Sequence, residues 1–290
     1  MLSRPSAKKL DDLLQDLNRR ARPPAIMGVL NVTLDSFSDG GRFLEPQRAV
    51  DHALQMIEQG AEIIDVGPES TRPGSSPVPS EEQLERAICV IEATRRACPE
   101  VPVSIDTRDA GVARAAVEAG ADLVNDTSAL SGDRDMADAV VRTGVALILM
   151  HMRGTPRTMQ AAGGGPVYDD VVGEVIDYLR RRIDFAVSRG IPRRRIIVDP
   201  GIGFGKTVEH NLQLLRRLAE FSTLGAPVLV GASRKSFIGQ VTGVPRPADR
   251  LAGSLVCAAT AVLAGAAIIR VHDVRESHQA VTMAHAICKG

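Results

Sequence analysis

Residues 101–126 read VPVSIDTRDAGVARAAVEAGADLVND, and two kinds of pattern alternate within this stretch. It opens with an apolar run that ends at Asp106, continues with a helical pattern over residues 110–119, and closes with a second apolar run that ends at Asn125. In parallel α/β folds a helix connects one strand to the next, and the strands present polar groups at their C-terminal ends. The stretch therefore predicts a strand, a helix and a second strand.

The same alternation repeats along the rest of the chain. Eight apolar runs are separated by helical patterns, several of which end at a glycine. Most of the runs lead to a polar or ionisable residue: Asn31, Asp65, Asp106, Asn125, His151, Asp199, Lys235 and the Arg270/His272 pair. Eight such units predict an α/β fold, namely a (β/α)₈ TIM barrel with these groups on one rim. An open doubly wound sheet is the alternative, but it would gather its ligand groups at one switch point.

The chain length fits one barrel with an additional N-terminal segment. It has 290 residues, whereas α/β barrels often span about 200–250 residues as one domain. Leu10, Leu13, Leu14 and Leu17 have the spacing of an amphipathic helix, which the two prolines at residues 23–24 would end. We therefore predict an N-terminal helical extension over residues 1–24 and a single barrel domain over residues 25–290.

The composition excludes several classes of partner. The 35 basic residues balance the 35 acidic ones, so the chain lacks the basic character of a nucleic-acid-binding protein. No apolar run approaches the roughly 20 residues of a membrane span, and charged residues interrupt the N-terminus where a secretory signal would be apolar. The four cysteines lack metal-finger spacing. We expect a cytoplasmic protein with reduced thiols that binds small molecules, and neither nucleic acid nor membrane.

Three segments rich in polar residues, glycine and proline indicate where the chemistry lies. They cover residues 31–41, 69–77 and 231–236, and each follows a predicted strand. Loops after barrel strands hold the active site in nearly all enzymes of this fold. Long loops with glycine hinges can also close over a substrate. The sequence therefore predicts an enzyme pocket at this rim.

These segments and five others resemble the dihydropteroate synthases, in family order from about residue 25 to the C-terminus. The eight matching segments are 27–33 (MGVLNVT) with 35–41 (DSFSDGG), 64–67 (IDVG) with 69–74 (ESTRPG), 104–107 (SIDT), 124–126 (VND), 150–152 (MHM), 199–207 (DPGIGFGKT), 233–236 (SRKS) and 270–274 (RVHDV). The resemblance implies an enzyme of folate biosynthesis that joins a dihydropterin diphosphate to 4-aminobenzoate.

The resemblance implies a pterin pocket formed by Asp106, Asn125, Asp199 and Lys235. The pterin edge presents an amino group and ring N–H groups as donors and a carbonyl oxygen as acceptor. Two carboxylates, an amide and a lysine are complementary to that edge. For a single Asp at a strand end, capping the next helix is about as good an explanation as binding a ligand. Four such groups on one rim favour the pocket.

The resemblance also implies a site for the diphosphate. It would consist of Asn31, Arg72, Arg270 and His272, with Mg²⁺ held through Asn31 and the diphosphate oxygens. Arginine matches phosphate oxygens with two parallel hydrogen bonds, and Mg²⁺ commonly uses one or two protein oxygens together with phosphate and water. The alternative for Arg270 is a surface charge, but it directly follows the end of an apolar run.

The 4-aminobenzoate site implied by the resemblance combines an apolar slot with donors for a carboxylate. The serine at the start of a helix can supply such donors. The two phenylalanines of this set can equally be packing residues. The implied residues are Phe37, Thr71, Pro73, Phe204, Lys235 and Ser236.

The resemblance implies an SN1-like substitution, in which diphosphate leaves early and the amine of 4-aminobenzoate attacks the pterin methylene carbon. An aromatic amine is itself a nucleophile, so no Ser/His or Cys/His pair is needed. The residues expected to act in catalysis are Asp35 on the first loop, Asp106 and Lys235. Two positions depart from the family pattern, Leu34 in the first loop and Pro68 before the second. We interpret these departures as altering the response to sulfonamides.

The sequence argues against three other interpretations. A methyltetrahydrofolate corrinoid methyltransferase shares the pterin contacts, but it does not need the segments at residues 70–73 and 233–236. A non-catalytic pterin carrier would be indicated by loss of Asp35, Lys235 or Arg270, and all three are present. A phosphate loop ending at Lys206 is excluded because Pro200 replaces its required first glycine. The largely apolar last helix could face a second subunit or simply close the barrel, and the resemblance alone implies a homodimer.

Overall fold

Eight parallel strands form the centre of the molecule. The computed structural model describes residues 4–19, 21–32, 44–69, 75–154 and 166–289, with the side chains of residues 44–46 left aside. The strands are β1 (Ala25–Asn31), β2 (Ile63–Gly67), β3 (Val103–Asp106), β4 (Leu123–Asp126), β5 (Ala146–Met150), β6 (Ile196–Asp199), β7 (Leu229–Val230) and β8 (Ile268–Val271). Strands β1, β2, β5 and β6 lie within one residue of the apolar runs that the sequence predicts. Strands β3, β7 and β8 start two residues later than predicted, and β4 ends two residues later.

The strands close into a barrel. Their order is β6-β5-β4-β3-β2-β1-β8-β7, and all the ladders are parallel. The seam between β6 and β7 is joined by one bridge, where Val198 pairs with Val228 and its N–H donates to the Pro227 carbonyl over 3.0 Å. The predicted (β/α)₈ barrel of the α/β class is therefore confirmed, and the open-sheet alternative is wrong.

Helices cover the outside of the barrel and connect its strands. They are α1 (Pro5–Asn18), α2 (Leu44–Glu58), α3 (Ser80–Ala97), α4 (Ala110–Ala119), α5 (Met136–Thr143), α6 (Val171–Ser188), α7 (Val208–Arg216), α8 (Ser236–Thr242), α9 (Leu251–Leu263) and α10 (Val274–Lys289). Proline favours the first position of a helix, so Pro46 predicts the start of α2, but the helix begins at Leu44. Among the described residues, no helix combines the length and the apolar character that crossing a bilayer requires.

The two-residue period of a strand divides the barrel interior into an apolar and a polar end. Successive inward positions on one strand are two residues apart. In β4 the inward positions are Leu123 and then Asn125, and in β8 they are Ile268 and then Arg270. The apolar member of each pair belongs to a buried cluster near the N-terminal ends of the strands. The polar members therefore face the opposite, C-terminal mouth.

Helix α1 covers the N-terminal end of this barrel. Its four leucines are buried with strand residues from around the ring, including Met27, Ile148 and Leu229. The Ser6 hydroxyl donates to Asp122 over 3.0 Å, and Arg4 donates to the carbonyl oxygens at residues 117 and 121. The predicted amphipathic helix is present, and it seals the apolar end. The division at residues 24 and 25 into two units stays a prediction.

Candidate active site

An arginine joins two carboxylates across the C-terminal mouth of the barrel. Arg270 in β8 donates from Nε to Asp65 Oδ2 over 2.6 Å and from Nη2 to Asp106 Oδ2 over 2.9 Å. Asn125 in β4 donates its side-chain amide to the same Asp65 oxygen over 3.2 Å. Strands β2, β3, β4 and β8 thus bring four polar side chains into one hydrogen-bonded cluster. Two residues predicted for the pterin pocket, Asp106 and Asn125, belong to it.

Burial of this cluster changes its acid–base properties. Burial raises the pKa of Asp106 to about 7, and the nearby Asp65 and Glu69 carboxylates act in the same direction, while Arg270 and Lys235 oppose the rise. Burial alone would lower the pKa of Arg270, but Asp65 and Asp106 together raise it above its ordinary value. The guanidinium therefore stays charged, whereas Asp106 exchanges its proton near neutral pH.

Asp199 ends β6 on the same rim and is held by the loop that follows it. Its Oδ1 accepts a hydrogen bond from the Gly201 N–H over 2.7 Å. Burial raises the pKa of Asp199, and Lys235 and Arg270 are among the charges that oppose the rise. Those two cations therefore lie within electrostatic reach of both Asp106 and Asp199. The structure brings the four predicted pterin residues, together with Arg270, to one mouth.

Lys235 lies over an aromatic ring supplied by the loop after β6. Its ammonium is 3.7 Å from the centre of the Phe204 ring, at the distance of a cation–π contact. Phe204 is buried beside Met150 and packs against Met152. Ser236 follows directly as the first residue of α8 and is exposed. The three residues predicted to form part of a 4-aminobenzoate site thus lie on two adjoining loops.

The loops after β7 and β8 are joined by side-chain contacts. The Ser233 hydroxyl lies 3.1 Å from His272 Nδ1, and Arg234 donates from Nε to Asp273 over 3.0 Å. Arg234 has a left-handed backbone conformation with φ of 60°, which is uncommon for a residue other than glycine. Burial lowers the pKa of His272 to about 3, with Arg270 and Arg234 adding to the effect. His272 is therefore neutral and acts as a hydrogen-bonding group.

Asn31 is the residue whose chemistry fits Mg²⁺. It ends β1 and pairs in register with Gly67 of β2, and its Oδ1 lies 3.5 Å from where a Cβ on Gly67 would stand. The glycine therefore leaves space beside an amide oxygen at the mouth. No group of three His, Cys, Asp or Glu side chains suited to a metal occurs among the described residues. One protein oxygen here fits an ion that takes its other ligands from phosphate and water.

Several predicted residues lie outside the described part of the chain. On the first loop these are Leu34, Asp35 and Phe37, and on the second they are Thr71, Arg72 and Pro73. At the edge of the second loop, Pro68 is buried and its carbonyl accepts from Arg86 over 3.2 Å. Glu69 beside it forms an ion pair of 3.0 Å with Arg108.

Two residues of this region have contacts that sequence reasoning does not supply. Asp65 receives both Arg270 and Asn125, whereas the sequence places it on the rim without assigning it a role. Lys206 is buried and contacts His151. In the sequence it stands out only as the lysine of a phosphate-loop pattern that Pro200 excludes. The signals available were an acid at an inward strand position and a lysine at the end of a glycine-rich loop.

Comparisons with known proteins agree on the family. Residues 27–272 match the family model described as pterin binding enzyme. The Escherichia coli K12 dihydropteroate synthase is 49% identical over 263 residues, which are 91% of each chain. The structure of Xanthomonas albilineans dihydropteroate synthase with 4-aminobenzoic acid is 45% identical, has a TM-score of 0.84, and is matched over 91% of this chain and 93% of that one. The structure of the Yersinia pestis dihydropteroate synthase in a complex with a sulfonamide drug is 42% identical and has a TM-score of 0.85. The match covers 92% of this chain and 94% of that one.

The mouth of the barrel holds a buried cluster of carboxylates, an amide and a guanidinium. The family model matches most of the chain, and together these findings define a pterin-binding enzyme. Within that class, the chain belongs to the dihydropteroate synthase family, the transferases of folate biosynthesis. The sequence prediction of this family and activity is confirmed. The methyltransferase and carrier interpretations find no support among these relatives.

Proposed function

We propose that this enzyme condenses 6-hydroxymethyl-7,8-dihydropterin diphosphate with 4-aminobenzoate to give 7,8-dihydropteroate and diphosphate. The observation that carries the proposal is the bridge from Arg270 to Asp65 and Asp106, with Asn125 beside it. The X. albilineans synthases solved with 4-aminobenzoic acid and with 7,8-dihydropteroate support the choice of substrates.

Asp106, Asn125, Asp199 and Lys235 bind the pterin in this proposal. The ionised carboxylates accept from the pterin amino group and ring N–H, and Asn125 and Lys235 donate to its acceptor atoms. Arg270 Nη2 holds Asp106 when no ligand is present, so pterin N–H groups replace an existing donor rather than desolvate a bare carboxylate. A site with this many hydrogen bonds discriminates strongly against analogues that lack the polar edge.

Asn31, Arg72, Arg270 and His272 bind the diphosphate in this proposal, with Asn31 as the protein ligand of Mg²⁺. When bound, Mg²⁺ would neutralise negative charge on the diphosphate oxygens. Arg270 can turn towards the diphosphate once the pterin occupies Asp106, because its Nε remains anchored on Asp65. Neutral His272, held by Ser233, donates or accepts without adding charge.

The 4-aminobenzoate lies between Phe204 and the start of α8 in this proposal, with Phe37, Thr71 and Pro73 completing its site. The first backbone N–H groups of α8 and the Ser236 hydroxyl suit a carboxylate, because the N-terminus of a helix carries partial positive charge. Phe204 already contacts Lys235, so the amine of 4-aminobenzoate would lie next to the bound pterin.

The reaction is an SN1-like substitution. The bond between the methylene carbon and the diphosphate oxygen breaks first, and the electron pair leaves with diphosphate. The 4-aminobenzoate nitrogen then forms a bond to that carbon, and one amine proton is released. Asp106 and, on the first loop, Asp35 stabilise the cationic pterin, while Lys235 positions it. Catalysis then depends on charge and position rather than on a covalent enzyme intermediate.

We also propose that the chain is a cytoplasmic homodimer. Helices α9 and α10 pack against each other and expose large apolar side chains on their outer faces, where Val256 is 65%, Leu263 54%, Met283 62% and Ile287 61% exposed. Such a concentration of exposed apolar residues is typical of a protein interface. A second copy of the same chain, related by a twofold axis, would cover it.

A diphosphate-release assay tests the proposed activity. Purified protein receives the pterin diphosphate and Mg²⁺, with and without 4-aminobenzoate, and diphosphate and dihydropteroate are both quantified. We expect dihydropteroate to form in step with diphosphate. Asp106→Asn should lose this activity, whereas Asp138→Asn, at a side chain that is 42% exposed, should keep it. Absence of product from the wild-type protein, with pterin still bound, would refute the enzyme assignment.

Sulfamethoxazole added to the same assay tests the hypothesis on Leu34 and Pro68. Pro68 stiffens the entry to the second loop, whereas Leu34 leaves the first loop freer than a proline would. We expect an inhibition constant different from that of the E. coli relative, and a shift towards it in Leu34→Pro with Pro68→Gly. Equal inhibition of both enzymes would remove the hypothesis.

A further inference from the structure

Lys206 is a buried cation directly behind the candidate active site. It is 4% exposed, and its ammonium lies 2.9 Å from His151 Nδ1, 2.9 Å from the Gly201 carbonyl and 3.0 Å from the Phe204 carbonyl. The His151 carbonyl lies farther away, at 3.4 Å, so the three N–H donors of the ammonium face four acceptors. The loop after β6 is thus wrapped around one side chain.

The two carbonyl groups that Lys206 holds belong to residues with separate tasks at the site. The N–H of Gly201 donates to the Asp199 carboxylate over 2.7 Å. The ring of Phe204 receives the Lys235 ammonium at 3.7 Å. The same Nζ therefore fixes the residue that orients Asp199 and the residue that orients Lys235.

We propose that Lys206 is a positioning residue, which holds Asp199 and Lys235 in the geometry that binds the pterin and 4-aminobenzoate. This inference rests on the proposed function, because the substrate contacts of Asp199, Lys235 and Phe204 come from there. Lys206 is 4% exposed and its ammonium faces acceptors of the loop and of His151, so we assign it no contact with either substrate. Its effect is transmitted through two backbone carbonyls.

The protonation of the neighbouring groups agrees with this arrangement. Burial lowers the pKa of His151 to about 2, and the charge of Lys206 adds to the effect, so the ring is neutral and its Nδ1 can accept from the lysine. Burial lowers the pKa of Lys206 to about 7, Lys235 acts in the same direction, and Asp199 opposes it. Lys206 therefore exchanges its proton near neutral pH, and the hydrogen bonds to its acceptors favour the charged form of this buried group.

The conformation of the loop also depends on contacts around Lys206. Gly201, Gly203 and Gly205 all have positive φ, of 69°, 83° and 60°. The Gly203 N–H donates to Asn211 over 2.6 Å, and the Gly205 carbonyl accepts from Tyr168 over 3.0 Å. These contacts hold the middle and the end of the loop, whereas the carbonyls of Gly201 and Phe204 receive donors from Lys206. Without the lysine, we expect those two positions to move while the rest of the loop stays in place.

Comparison of Lys206→Met with Arg95→Met in the full-length enzyme tests the proposal. Arg95 is a half-buried cation at the other end of the barrel, where it likewise donates to several backbone carbonyls. Three quantities are measured for each variant: the dissociation constant of 6-hydroxymethylpterin by calorimetry without Mg²⁺, the KM for 4-aminobenzoate, and the thermal midpoint. We expect both variants to lower the midpoint.

Only Lys206→Met should weaken ligand binding, by about tenfold to a hundredfold in both the dissociation constant and the KM, because small misplacements at a site cost this much. Unchanged binding in folded Lys206→Met would show a purely structural role and overturn the proposal. If that variant does not fold, Lys206→Gln, which keeps two donors, is measured in the same way. A wild-type protein that binds no pterin would instead refute the proposed function.

Discussion

Burial disfavours the charged form of the Asp106 carboxyl. Its pKa is raised to about 7, from an ordinary value of 3.8 in an unfolded chain, mainly because the carboxyl is buried. Between about pH 4 and pH 7 the folded protein therefore binds a proton that the unfolded chain has already lost. The free energy of unfolding falls as pH rises through this window, and the loss is complete above it. Above this window the protein is less stable, and its Asp106 carboxylate is ionised and able to accept hydrogen bonds from a pterin.

Replacing that carboxylate should stabilise the protein while removing its function. We expect Asp106→Asn to increase the free energy of unfolding at pH 8 by about 2 kcal/mol, given that each pKa unit corresponds to about 1.4 kcal/mol and that Arg270 loses a charged partner. Near pH 4 the gain should disappear, because the wild-type side chain is then neutral as well. Urea denaturation at the two pH values measures the difference.

The exposed Asp138 provides the control for this prediction. Its pKa is lowered by a hydrogen bond from Arg189, the opposite direction to Asp106. Asp138→Asn should therefore give no gain in stability at pH 8. A gain in Asp106→Asn that is equal at both pH values would contradict the titration argument, even if the variant no longer binds pterin.

At the scale of elements, the two-residue period of the strands explains why so much of the fold could be predicted. Most strands contribute apolar inward residues at one end and a polar one at the other, so both the barrel and most of its rim could be predicted from the sequence. The sequence does not indicate a role for Asp65, because its hydrogen-bond partner Arg270 lies 205 residues away along the chain. Lys206 and His151 are 55 residues apart, and their contact likewise exists only after the barrel has closed.

The loop after β6 offers a matched pair of glycine substitutions. Gly201 and Gly243 have similar positive φ, 69° and 73°. A Cβ on Gly201 would lie 1.9 Å from the His151 carbonyl oxygen, whereas no described atom lies within 4 Å of a Cβ on Gly243. We expect Gly243→Ala to cost about 1 kcal/mol, as a left-handed residue does, with unchanged pterin binding.

Gly201→Ala should cost more than Gly243→Ala, because the backbone must also move away from His151. That movement takes the Gly201 N–H away from Asp199, so pterin binding should weaken as well. Chemical denaturation and calorimetric titration with 6-hydroxymethylpterin measure the two effects. Equal stability and equal pterin affinity in the two variants would show that the close approach to His151 does not constrain the loop.

The covering helix α1 should matter for stability and not for catalysis. Leu14 is 2% exposed in the cluster at the N-terminal end of the barrel. Removing a buried leucine side chain costs about 2–5 kcal/mol. We therefore expect Leu14→Ala to lower the free energy of unfolding by that amount and to leave the KM of both substrates unchanged. Gln15→Ala, on the exposed side of the same helix, is the control and should change neither the free energy of unfolding nor the KM values. An altered KM in Leu14→Ala would contradict the prediction, because it would show that packing at the N-terminal end of the barrel affects the site at the C-terminal mouth.

At the scale of the whole molecule, the exposed apolar faces of α9 and α10 predict the assembly. We expect the wild-type chain to sediment as a dimer, and Met283→Glu combined with Ile287→Glu to give a monomer, because two charges would have to be buried in the interface. Val187→Glu on α6, where the valine is 42% exposed, is the control and should remain dimeric. Analytical ultracentrifugation distinguishes these outcomes, and a monomeric wild-type chain would contradict the prediction.

The position of α1 has a further consequence for how the chain is made. This helix precedes every strand, but the cluster that receives its leucines includes Ile197, Leu229 and Ile268, which leave the ribosome late. During translation the helix therefore has an apolar stripe with no complete surface to bury it, and the nascent chain is exposed to holding chaperones until β8 has emerged. Helix α1 is synthesised before the strands of the barrel and is then among the last of the described elements to dock.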